Sequence, residues 1–112
     1  MDWIGSPSVG VTLDYANTIL FPNPPSIRDA IAWLGDRLLY VHLKNLIVLP
    51  DCSHIRTSLA SGQLNNRDLL RRLKEHGYDG PICIEAPRPG DREWFAQQDL
   101  EYLYSLVRDM TW

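Results

Sequence analysis

Val9-Gly10-Val11-Thr12-Leu13 runs into Asp14, Leu38-Leu39-Tyr40-Val41 into His42, and Pro81-Ile82-Cys83-Ile84 into Glu85. A short apolar run rich in β-branched residues reads as a buried parallel strand, so strands are expected at about 8–14, 37–42 and 81–85. In α/β barrels the residues at strand C-terminal ends carry the chemistry. Asp, His and Glu are also side chains that hold divalent metals. One of them at a strand end would be ordinary; all three, each closing its own strand, point to a metal site.

The segments between these runs read as helices. After the Pro-rich stretch Phe21-Pro22-Asn23-Pro24-Pro25, Ser26 followed three places on by Asp29 has the form of a helix N-cap. Ile27, Ile31 and Leu34 then recur at helical spacing, and Gly35 ends the helix. Asn66 reads as the N-cap of a helix over Arg67 to His76, with Leu69, Leu70 and Leu73 as its buried stripe and Gly77 as its stop. Trp94 to Met110 reads as the last helix, with Phe95, Leu100, Leu103, Leu106 and Val107 on its apolar side. Between Leu43 and Asn66 lies a long connection of the kind that forms binding loops on α/β scaffolds. Within it, Leu46-Ile47-Val48-Leu49 fits either a further strand or a loop packed over the core. The alternation of strand and helix gives an α/β fold of three β/α units in a single domain over 1–112.

Composition limits what such a domain can be. The chain has 112 residues, 45% hydrophobic and 22% charged, which suits one soluble core but falls short of a complete eight-stranded barrel of about 250 residues. A net charge of -3 and a pI near 5.5 provide no basic footprint, so nucleic acid and anionic membrane are disfavoured as partners. Asp2-Trp3-Ile4-Gly5-Ser6-Pro7 lacks the basic flank and apolar core of a secretory signal, and no run approaches a membrane span. A cytoplasmic location is therefore expected. There Cys52 and Cys83 stay unbridged, Cys83 as a buried hydrophobe and Cys52 as an incidental thiol.

With Val-Gly-Val-Thr-Leu-Asp at 9–14, Tyr-Val-His-Leu-Lys-Asn at 40–45 and Gly-Tyr-Asp-Gly-Pro-Ile-Cys-Ile-Glu at 77–85, the chain resembles the C-terminal part of the xylose isomerase-like TIM barrels. That superfamily includes sugar phosphate isomerases and epimerases, with endonuclease IV among its relatives. The resemblance runs from about Val9 to Leu106. It implies a partial TIM barrel equivalent to strands six, seven and eight. It also implies a divalent metal (Mn²⁺, Mg²⁺, Co²⁺ or Zn²⁺) held by Asp14, His42 and Glu85, with a further Glu expected on a strand before residue 1. Glu85 would in addition serve as the acid-base residue of an enediolate mechanism on a sugar or sugar phosphate, one of the two Glu residues that share this work in the family. The chain departs from the family pattern at Asn17, where members commonly have His, and at Asn45, where they often have Asp. Asn still donates and accepts hydrogen bonds but is a poor base and a weaker ligand.

Asn17, Lys44, Asn45, His54 and Arg56 are the candidate substrate-binding residues, since they present donors to sugar hydroxyls or phosphate. Gly62-Gln63-Leu64 resembles the family's glycine-containing loop and reads as a conformational need for glycine. Taken singly, Asp14 reads equally as the cap of the next turn, His42 as a core histidine, and Glu85 as an ion-pair partner of Arg88 or Arg56. Some of Trp3, Trp33, Trp94, Trp112, Tyr40, Tyr102 and Tyr104 must pack the core. A three-stranded slice of a barrel nevertheless keeps raw edges and an uncovered face, from which a homo-oligomer, a dimer first, is expected. The alternatives are a non-catalytic oligomerising module, or a half-barrel completed by a different chain.

Overall fold

The computed structural model describes Ser6 and residues 8–112. Its elements are β1 (Val11–Asp14), the single turn α1 (Tyr15–Thr18), α2 (Ile27–Leu34), β2 (Leu38–Leu43), β3 (Asn45–Val48), β4 (His54–Thr57), α3 (Asn66–His76), β5 (Ile82–Ile84) and α4 (Arg92–Asp109), with a 3-10 turn at Gly35–Arg37. β1, β2 and β5 form a parallel sheet in that order, and β3 and β4 pair antiparallel as a separate hairpin. The sheet does not close into a barrel among the described residues. It is the slice of a barrel expected from the sequence.

Register decides which side chains meet. Asp14 lies opposite His42, and His42 opposite Cys83. Because side chains alternate along a strand, Asp14, His42 and Cys83 share one face, and Lys44 and Glu85, each two residues further on, extend it. Leu13, Val41 and Leu43 point the other way and are buried with Leu69, Leu70 and Leu73 of α3 and Leu103 and Leu106 of α4. Complete burial of such a leucine contributes about 1.5–3 kcal/mol, so this layer anchors the sheet.

The helix boundaries follow from local chemistry. Ser26 Oγ accepts the Asp29 N–H at 3.1 Å, Asn65 Oδ1 the Asp68 N–H at 3.0 Å, and Asp91 Oδ1 the Trp94 N–H at 3.0 Å. Gly77, at φ +83°, closes α3, with its own N–H donating to the Lys74 carbonyl and that of Tyr78 to Leu73.

Several details differ from the sequence reading. The cap of α3 is Asn65; Asn66 is buried one residue inside, where its amide donates to the Leu59 carbonyl at 3.0 Å. α4 begins two residues early because Asp91 caps it, and it ends at Asp109. β1 is confined to Val11–Asp14, and β2 continues one residue to Leu43. The open connection contains the β3–β4 hairpin, closed by Asp51 accepting the Ser53 N–H and by Cys52 at φ +70°. Cys83 is half-buried, since it lies on the open face, and no disulfide joins it to Cys52. Leu100 is exposed, as are Trp33, Trp94, Tyr104 and Trp112, while Tyr102 packs against the core and Trp3 lies outside the described residues. Burial falls instead to Tyr15 and Tyr78.

These two tyrosines give the fold a pH limit. The Tyr15 hydroxyl donates to the Pro25 carbonyl, and that of Tyr78 to Pro81 at 2.6 Å. Burial raises both phenols above their ordinary range. The folded state thus holds these protons more tightly than the unfolded chain. Their stabilisation is complete below about pH 10 and is lost as pH rises through the folded values. Melting temperature is expected to decline above pH 10, and Tyr78→Phe to reduce that decline; an equal decline in the variant would exclude Tyr78 as its source.

Candidate metal centre

Asp14 ends β1 and caps the turn that follows. Its Oδ1 accepts the Asn17 N–H and its Oδ2 the Asn17 side-chain amide, both at 3.2 Å. The capping role and the site role are therefore held together by one carboxylate. His42 is near the end of β2, with Tyr40 edge-on to its ring at 5.2 Å. Cys83, whose side chain lies on the same face, pushes the Tyr40 phenol above its ordinary range. Glu85 follows β5, its N–H donating to the Leu43 carbonyl at 2.8 Å, which carries the strand pairing up to the carboxylate.

The three side chains converge. His42 Nδ1 is 2.7 Å from Glu85 Oε2 and 3.9 Å from Asp14 Oδ2, and one ligand atom from each residue lies within 4.8 Å of the others. Lys44 completes the group, with Nζ 3.0 Å from Asp14 Oδ2 and 3.8 Å from Glu85 Oε1. Its side chain is 3% exposed, against 41% for Glu85, so the group opens to solvent on the Glu85 side. Two carboxylates and an imidazole suit a divalent cation by donor type, and their convergence fits such an ion.

The remaining candidates fall into different places. Asn17 is exposed and holds Asp14. Asn45 is buried, and its amide is fully engaged: Nδ2 donates to the Leu59 and Leu64 carbonyls, and Oδ1 accepts from the Leu46 and Leu64 N–H groups, all at 2.9 Å. No donor or acceptor is left for a substrate, and Asn45 instead fastens the hairpin to the loop before α3. Gly62 belongs to this fastening, since a Cβ there would lie 2.1 Å from Asn45 Oδ1. His54 is exposed on β4, and Arg56 is half-buried with its Nη1 lacking a hydrogen-bond partner. Neither forms a hydrogen bond or ion pair with Asp14, His42 or Glu85. Glu85 pairs with neither Arg88 nor Arg56. Arg88 is taken by buried Asp99 at 2.8 Å and lies over the Phe95 ring at 4.2 Å. Sequence reasoning missed Asp99, the buried bond of Asn66 to Leu59 and the clamping role of Asn45, because each works through a partner outside its own element.

A parallel sheet with ligand-type residues at three strand ends is the architecture of a slice of a TIM barrel. The chain belongs to the xylose isomerase-like TIM barrel family, whose model matches residues 1–106. It is 30% identical over 82 residues to the uncharacterized protein MJ1311 of Methanocaldococcus jannaschii, a match covering 73% of this chain and 27% of that protein. The crystal structure of a xylose isomerase domain protein from Planctomyces limnophilus superposes with a TM-score of 0.81 at 25% identity, over 98% of this chain and 42% of that one. The chain thus spans less than half the length of either relative.

Proposed function

We propose that the chain carries the catalytic end of a metal-dependent sugar or sugar-phosphate isomerase or epimerase. The supporting observation is the convergence of Asp14, His42 and Glu85 within 4.8 Å on one face of adjacent parallel strands. These three residues would hold the ion. When bound, a hard divalent ion polarises a carbonyl and stabilises the charge of an enediolate. Glu85, the most exposed of the three, faces solvent where a sugar would enter, and its carboxylate takes the proton from the carbon beside the carbonyl. Asn17 and Lys44 keep the Asp14 carboxylate in place, and Asn17, the more exposed of the two, is positioned to meet substrate hydroxyls. His54 and Arg56 are the remaining candidates for contact with a phosphate.

The working unit is proposed to be a cytoplasmic homo-oligomer, a dimer first, in which further copies cover the edges of β1 and β5. No helix among the described residues is long and apolar enough to cross a membrane. A second reading, a non-catalytic oligomerising module, is favoured by one observation: Lys44 and His42 already engage both carboxylates.

Native mass spectrometry after incubation with Mn²⁺ separates the two. The expected result is a dimer carrying one ion per chain, with the ion lost in Asp14→Asn and His42→Ala. In D₂O with Mn²⁺, the protein should exchange the proton beside the carbonyl of ketoses or ketose phosphates, and Glu85→Gln should slow this about a hundredfold or more. An oligomer that binds no ion and exchanges no proton would establish the module.

A further inference from the structure

Lysine is almost never fully buried unless it is paired, and Lys44 is 3% exposed with its ammonium against two carboxylates of the proposed metal centre. The centre therefore already contains a cation. Its neighbours make that cation difficult to ignore. Asp14 Oδ2 receives the ammonium at 3.0 Å and the Asn17 amide at 3.2 Å, while Oδ1 receives the Asn17 N–H. An ion binding through Oδ2 must displace one of those donors or share the oxygen with them. Glu85 Oε1 feels the same ammonium at 3.8 Å, and Oε2 is engaged by His42 Nδ1 at 2.7 Å. With His42 neutral, the two carboxylates and the ammonium sum to a single negative charge.

We propose that Lys44 is an internal counter-cation of this centre. It holds Asp14 and Glu85 together when no divalent ion is bound, and it lowers the affinity for one by occupying Asp14 and by repelling the incoming charge. The inference rests on the metal-centre reading above and adds a residue that sets how tightly the ion is held. The repulsion is short-range and largely desolvated, the setting in which charge interactions are screened least. A backbone cause gives Lys44 this position: two residues beyond His42 on the same strand line, it must project to the face that carries the triad.

The test is the Mn²⁺ affinity of the full chain, read from the electron paramagnetic resonance signal of free Mn²⁺, for the wild type, Lys44→Met and Lys44→Gln. Both neutral variants should bind Mn²⁺ at least tenfold more tightly than the wild type. Without the ion both should melt at a lower temperature, and both should gain more from added Mn²⁺. Binding by the variants but not by the wild type would support the inference while overturning the proposal that the native centre holds a metal. Equal or weaker binding by the variants, with the wild type binding, would overturn the inference and leave the centre standing. No binding by any of the three would overturn both. If neither variant folds alone, recovery of helical circular dichroism on adding Mn²⁺ supports the counter-cation role, and lack of recovery overturns it.

Discussion

Replacing Asn45 with alanine is expected to destabilise the fold by about 4 kcal/mol or more, a large part of the roughly 5–15 kcal/mol that holds a typical domain together. The buried amide satisfies four backbone groups, the Leu46 and Leu64 N–H groups and the Leu59 and Leu64 carbonyls. A buried backbone group left without a partner costs about 1–3 kcal/mol, and alanine leaves three of the four so, since the Leu59 carbonyl keeps the Asn66 amide as a donor. Thermal melting should drop by roughly 15 °C or more, since 1 kcal/mol corresponds to about 4 °C or more at this size. His54→Ala, at an exposed position on the same hairpin, should stay within about 0.5 kcal/mol of wild type. An Asn45→Ala protein that melts within a few degrees of wild type would mean that water takes over the amide's bonds.

Asp99→Ala should cost about 3–5 kcal/mol, for a different reason. Asp99 is 2% exposed, and its two oxygens accept from Arg88 Nη1 at 2.8 Å and from the Leu59 N–H at 3.1 Å. The variant strands a guanidinium that is only 10% exposed and unfastens the end of the hairpin from α4. Breaking such a pair from one side is worse than removing it. Chemical denaturation should therefore show the double variant Arg88→Met, Asp99→Leu to be more stable than Asp99→Ala. A double variant as unstable as the single one would place the cost in the lost Leu59 bond and not in the orphaned charge.

Both residues show where the sequence stops being readable. The three parallel strands are legible because each is a short apolar run, and the helices because Ser26, Gly77 and the leucine stripe of α3 act on near neighbours. The triad is legible for the same reason, being written at the strand ends. β4 is not, since His54-Ile55-Arg56-Thr57 carries polar residues on both faces and its pairing depends on a turn shaped by Asp51 and Cys52. Asn45 met Leu59 and Leu64, and Asp99 met Leu59 and Arg88, only once the chain had folded. Lys44 drew attention as a donor near a strand end, but its burial between two carboxylates is a property of the assembled face.

One peptide bond separates Lys44 from Asn45, and the two side chains go opposite ways: one into the charged group at the end of the sheet, the other into the fastening beneath the hairpin. Chain length is consequently tied down at this step as at no turn on the surface. A residue inserted between Leu43 and Lys44 would shift the alternation by one, sending an amide toward the carboxylates and an ammonium into the backbone cage. Relatives that vary in length should do so at the Leu49–Ser53 turn, leaving the Lys-Asn step uninterrupted.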